Sequence, residues 1–325
     1  MTLVTPATLR IVLAGLWLVI LAVLLVLGAV HLARIRRARR REALDLRARP
    51  LVLRFALLEE DDPALAATLR DASGAFGARI DERLLAVLET VHGQTRDRVA
   101  ALLVERGHPP RLRRRARSWR VTVRAAALRR LGQLGLPEDR ELVTRAVQDP
   151  APVVRTVAVR ALAAWPSADA VIAAFSLLRG SGEVPSLVVI TALIAQGRAS
   201  TEALDALRAG LADPSAAVRA ASARALGELT SVADAEQLGR LLRRDPSPSV
   251  RLAAATALER VARESSVPAL LEGASSPWGP VRLHSLQALL ALPCDVTADA
   301  RAEISRRGDA LLAPLLPADD TASGS

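Results

Sequence analysis

Counting from a Val-Arg pair, apolar or small residues recur four, seven, eight and eleven positions on. After Val154 they are Ala158, Ala161, Leu162 and Trp165, and after Val250 they are Ala254, Ala257, Leu258 and Val261. This period of about 3.6 residues marks one face of an amphipathic helix. The pair recurs as Val123-Arg124, Val154-Arg155, Val218-Arg219, Val250-Arg251 and Val281-Arg282. The double-length gap between the second and third pairs holds VPSLVVITALIAQG (184–197), in which Ser186 stands at the Arg position and Val189, Ala192 and Leu193 keep the apolar ones. Six units therefore follow one another at spacings of 31, 31, 33, 32 and 31 residues.

Asp149-Pro150, Asp213-Pro214 and Asp245-Pro246 precede three of the pairs. They predict helix starts, with the Asp capping free amides and the Pro in a first turn that needs no N–H. Between these helices lies a second amphipathic segment, as in EDRELVTRAVQ (138–148), STEALDALRAGLA (200–212) and VADAEQLGRLLRR (232–244). Each unit is then a helical hairpin. A lone hairpin cannot bury its apolar face, so the hairpins are expected to stack into an α-solenoid over residues 118–316, closed by a more polar helix pair in 297–316.

The pattern changes towards the N-terminus. Residues 11–33 carry no charge and predict a single transmembrane helix of about 34 Å. A basic segment follows at 34–49, where Arg34, Arg36, Arg37, Arg39, Arg40 and Arg41 face Arg10 alone on the other flank. The positive-inside rule then puts the solenoid in the cytoplasm at a bacterial inner membrane, with those arginines as contacts for anionic lipid. His31 falls near the cytoplasmic end of the run, where a neutral imidazole reaches the interface. Residues 50–117 read as a divergent helical N-terminal extension, and 317–325 as a disordered tail.

The repeated phrase resembles the HEAT repeats, and among them the short form related to phycobilisome-lyase HEAT-like repeats. The resemblance is carried by DPAPVVRTVAVRALAAW (149–165), DPSAAVRAASARALGEL (213–229) and DPSPSVRLAAATALERV (245–261). SPWGPVRLHSLQALLAL (276–292) departs with Ser276 in place of Asp, and SWRVTVRAAALRRLGQL (118–134) lacks Asp-Pro. The resemblance implies an all-α fold, a HEAT-like α-solenoid of helical hairpins, here preceded by the expected transmembrane helix. It also implies a structural role for Arg124, Asp149, Arg155, Asp213, Arg219, Asp245, Arg251 and Arg282, each Arg meeting the preceding Asp near the inter-repeat turns. The resemblance says little about function; the expected function is that of a scaffold or adaptor for another protein, and not of an enzyme.

Charge narrows this reading little. The net charge is +10, and all 44 basic residues are Arg, as the coding bias of a GC-rich genome would produce. Residues 1–55 alone contribute +8, while the rest hold 34 Arg against 32 acids. That balance argues against nucleic acid as the partner. RLRRRARSWR (111–120) is the exception: Arg111, Arg113, Arg114 and Arg115 are candidate contacts for an acidic partner or anionic lipid, the mixture would also suit a phosphate backbone with Trp119 stacking on bases, and in the structural alternative Trp119 fills the Pro position of its repeat and packs. His31, His92, His108 and His284 are scattered, and no HExxH, CxxC, phosphate loop or GxSxG occurs. No cofactor or metal is expected. Cys294 stands alone and is expected to be a buried thiol. Two alternatives from other classes are a bilin or tetrapyrrole lyase-like enzyme or chaperone, which share this repeat type, and a HEAT-like nucleic-acid-binding protein.

Overall fold

The computed structural model describes residues 6–57, 62–91, 93–180 and 184–316, with the side chains of residues 6–16, 19, 22 and 37 set aside. The expected tail at 317–325 lies outside the described residues. Every regular element among them is a helix. The chain divides into two compact units between Pro109 and Pro110.

The first unit opens with α1 (Pro6–Leu57), one helix that runs on through Pro50 at the loss of a backbone donor. Its C-terminal turns pack on α3 (Gly74–Leu88), and Ala48, Val52 and Ala56 are buried at four-residue spacing. Between them come α2 (Pro63–Asp71), capped by the Asp62 carboxylate accepting from the Leu65 N–H, and after them α4 (Gly93–Glu105).

This overturns the expectation of a transmembrane helix at 11–33. Among the described residues no helix is long and apolar enough to cross a membrane. α1 instead continues unbroken from Pro6 through the arginine cluster to Leu57. The single-pass inner-membrane location, the cytoplasmic orientation and the membrane partner fall with it.

In the second unit the helices alternate between two rows. One row holds α6 (Val121–Leu134), α8 (Pro152–Ala161), α10 (Ser186–Ala199), α12 (Ala216–Glu228), α14 (Pro248–Val261) and α16 (Gly279–Leu290), each packed on the next. These carry the Val-Arg pairs. The other row holds α7 (Arg140–Ala146), α9 (Ala168–Arg179), α11 (Thr201–Gly210), α13 (Ala235–Arg244), α15 (Val267–Gly273) and α17 (Cys294–Arg307). α5 (His108–Ala116) precedes both. Val154, Ala158 and Leu162, like Val250, Ala254 and Leu258, are fully or almost fully buried, as the repeat spacing predicts. Each such Leu or Val contributes about 1.5–3 kcal/mol by leaving water.

Small residues set how closely the first row packs. A Cβ added to Gly132 would lie 2.6 Å from the Cβ of Ala161, and one added to Gly227 would lie 2.7 Å from Cα and Cβ of Ala257. Neighbouring helices therefore touch almost backbone to backbone.

Two details of the sequence reading shift. The helices begin at Pro152, Ala216 and Pro248, three residues after each Asp, so the Asp is not the cap. Instead Asp149, Asp213 and Asp245 accept from the backbone N–H two residues on, at 2.8–2.9 Å, closing a turn before the helix. At the C-terminal end only α17 forms; Gly308 ends it in the left-handed region at φ 64°, and the second expected helix is a short 3₁₀ turn at Ala313–Leu315.

Candidate interaction surfaces

The Val-Arg arginines form a ladder between successive repeats. Arg219 donates through Nε and Nη2 to the two oxygens of Asp245, at 2.7 and 2.9 Å, and through Nη1 to the carbonyls of Asp213 and Pro214, at 2.9 Å each. Arg124 does the same with Asp149, at 3.0 and 2.8 Å, and with the carbonyls of Ser118 and Trp119. Each guanidinium thus clamps its own turn and the next repeat's carboxylate, so the side-chain partner is the following Asp and not the preceding one. Arg155 holds the carbonyls of Asp149 and Pro150, and Arg282 those of Ser276 and Pro277 while reaching Asp309 at 2.8 Å. The carboxylate of Asp213 is taken by Arg179 at the end of α9.

The ladder has gaps: the third repeat has Ser186 in place of its Arg, and Arg251 forms no rung. Arg251 has no hydrogen bond or ion pair among the described residues, and its Nε is buried. Ser276 stands where its Asp would be.

Electrostatics agree with the geometry. Burial alone would raise the Asp149 carboxyl, but the hydrogen bonds from Arg124 and the Ala151 N–H outweigh it and hold it below the ordinary value. The hydrogen bond from Arg179 does so for Asp213. Bonding to Asp245 raises the Arg219 guanidinium.

A second ladder, which the sequence reading did not find, ties the other row. Arg113 of α5 donates to Asp139, wholly buried in the 3₁₀ turn Pro137–Asp139 before α7. Arg208 of α11 donates to Asp234 at 2.9 Å, in the turn before α13. Both separations are 26 residues, the same as Arg219 to Asp245. That repeated interval was the available signal, hidden because Ser167 and Ser266 stand buried in other such turns. Arg113 is therefore a structural residue, and not a free contact for an acidic partner.

In the first unit Asp81 is a buried hub. It accepts from Arg106 Nε, and its Oδ2 lies 2.9 Å from His108 Nε2. Arg106 also donates to the carbonyls of Leu69, Arg70, Ala72 and Gly77, stitching the corner between α2 and α3 to the end of α4. Burial would raise the Asp81 carboxyl; the bonds to His108 and Arg106 lower it instead.

The remaining predicted positions lie apart. Arg34, Arg36, Arg39, Arg40 and Arg41 are exposed on α1, and the side chain of Arg37 is outside the described residues. Cys294 is exposed at the start of α17, not buried, and its Sγ accepts from Arg301. His284 of α16 is half-buried, with Nδ1 on Glu259 of α14. Among the described residues no three His, Cys, Asp or Glu side chains group as a metal site would require.

Two exposed features have no role in packing. Arg111, Arg114, Arg115, Arg117 and Arg129 are exposed and Arg130 half-exposed, with no ionic partner among the described residues. Arg115 and Arg130 flank a cleft of about 370 Å³ over Leu112, Val123, Ala126 and Ala127. The second feature is an apolar edge within two residues of the helix starts in the first row: Trp119 is 82% exposed, Leu187 72%, Val153 59% and Trp278 51%. Trp119 thus does not pack into its repeat, and Arg120 lies over its ring at 5.0 Å.

Two rows of helices, repeated as hairpins along the second unit, define an all-α repeat solenoid. The family model for HEAT repeats matches residues 80–163 and 235–302, and that for a single HEAT repeat matches 203–233. The chain carries HEAT repeats. Solved structures similar to it include human deoxyhypusine hydroxylase in complex with glycerol, at 20% identity over 77% of this chain and 97% of that one with a TM-score of 0.32. The complex of CpcE and CpcF of phycocyanin lyase from Nostoc sp. PCC7120 gives 20% identity, 79% and 97% coverage and a TM-score of 0.32. A designed armadillo repeat protein gives 21%, 57%, 99% and 0.34. No curated protein matches.

Proposed function

We propose that this chain is a HEAT-repeat scaffold that binds another protein along the helix-start edge of its first row. The observation that carries the reading is the exposed series Trp119, Val153, Leu187 and Trp278. Large apolar side chains near the helix starts of four of the six repeats gain nothing from facing water, while exposed aromatics are the side chains that most often anchor a protein interface. The repeat residues themselves are consumed in assembly, since Arg124 and Arg219 spend their donors on carbonyls and carboxylates of the fold. Binding therefore falls to side chains outside the repeat pattern.

Affinity purification of the full chain, compared with a Leu187→Asp, Trp278→Ala variant, tests this. A stoichiometric protein partner retained by the first and lost by the second is the expected result, with unchanged thermal unfolding as the control. Recovery of no protein across gentle conditions, or equal recovery by both chains, rejects it.

A further inference from the structure

We infer that the cleft between α5 and α6 docks an acidic segment of the partner protein, one that carries an apolar side chain among its carboxylates. This rests on the scaffold reading and adds to it the chemistry of what is bound.

The cleft combines two features that a solvated face does not need together. Its rims are cationic, with Arg115 on α5 and Arg130 on α6, and Arg111 and Arg114 extend the charge one turn back along α5. None of the four has an ionic partner among the described residues, whereas nearby Arg113 and Arg124 are each paired with an Asp. Four like charges within one helix and its neighbour repel one another and weaken the fold unless something acidic joins them. Between them the lining is apolar except for Thr122, with Leu112, Val123, Ala126 and Ala127 as its floor. Guanidinium groups pair two-pronged with carboxylates, and the floor admits one aliphatic side chain between such pairs.

The alternatives fit less well. A nucleic-acid backbone needs a cationic track, and here acids interrupt the arginines, with Glu138 3.8 Å from Arg113 and Glu141 paired with Arg145. A bilayer presents a flat headgroup layer, while the Leu112 side chain lies recessed, almost fully buried.

The test is fluorescence anisotropy of the full chain with a labelled peptide in which one leucine is flanked on each side by three acidic residues. Salt-sensitive binding is expected. Arg115→Glu combined with Arg130→Glu should weaken it about tenfold or more. Ala126→Phe, which fills the floor without changing charge, should weaken it comparably, and Arg243→Glu, at an exposed site on α13, should leave it within about twofold. Circular dichroism melts keep the variants comparable. Equal affinity of wild type and the double reversal would overturn the inference, as would equal binding of a peptide with serine in place of leucine. Tighter binding, through the same arginines, of duplex DNA or of phosphatidylserine-containing vesicles would also overturn it. If the double-reversal chain still retains the purified partner, this site is wrong and the scaffold reading stands; if the wild-type chain retains none, both fall.

Discussion

At the residue scale, the same arginine does different work according to what the next repeat offers it. Arg219 finds Asp245 and is doubly bonded to it, whereas Arg251 finds Ser276 and keeps a buried, unpaired Nε. Ser276→Asp should therefore give Arg251 its rung and raise stability by roughly 0.5–1 kcal/mol, the range for a partly exposed ion pair. A higher urea midpoint at unchanged slope is the expected observation, and no gain would mean the Arg251 rotamer cannot reach position 276. The converse change, Arg219→Ala, leaves the nearly buried Asp245 carboxylate without its guanidinium and should cost about 3 kcal/mol. Partner affinity, measured on the fraction that still folds, should be unchanged. The Val-Arg spacing made these arginines visible in the sequence; which carboxylate each one meets was not visible, because the bond crosses from one repeat to the next.

At the element scale, spacing between helices is set by absent side chains. Gly227 faces the backbone of Ala257, so Gly227→Ala brings a methyl group into a space with no room for it. Ala favours a helix over Gly by about 1 kcal/mol. Overpacking costs about 1–3 kcal/mol and here meets backbone, so the net effect should be a loss of stability. Differential scanning calorimetry should show a lower Tm, and a higher one would mean that α12 and α14 can part without loss. The helix starts teach a related lesson. Asp-Pro marks the repeat boundary correctly, yet the helix begins three residues later, because the Asp side chain closes its own turn and offers its other face to the arginine. A local capping rule could not anticipate that the tertiary partner would claim the carboxylate first.

At the scale of the whole molecule, charge pairing makes stability depend on pH. Asp81, Asp149 and Asp213 are each held below the ordinary carboxylate value in the folded chain. Their contribution is therefore fully present above the unfolded pKa and lost as the pH falls through the lower folded values. Thermal unfolding followed from pH 7 downwards should show a Tm that declines below about pH 4, and less steeply in an Asp149→Asn, Asp213→Asn chain. A Tm independent of pH down to 2.5 would show these pairs to be energetically idle. Residues 118–292 gave the solenoid directly, since a 3.6-residue period inside a 31–33-residue repeat admits few other folds. Residues 11–33 misled by the same kind of reasoning: an apolar run is read locally, but among the described residues no helix is long and apolar enough to cross a membrane. Periodicity determines which face of each helix is buried, because that depends on neighbours three and four residues away along one chain. Only the tertiary structure decides which arginines are spent and which are free. Arg113 and Arg115 stand two residues apart in one basic run, and their different fates depend on where Asp139 arrives, 26 residues later.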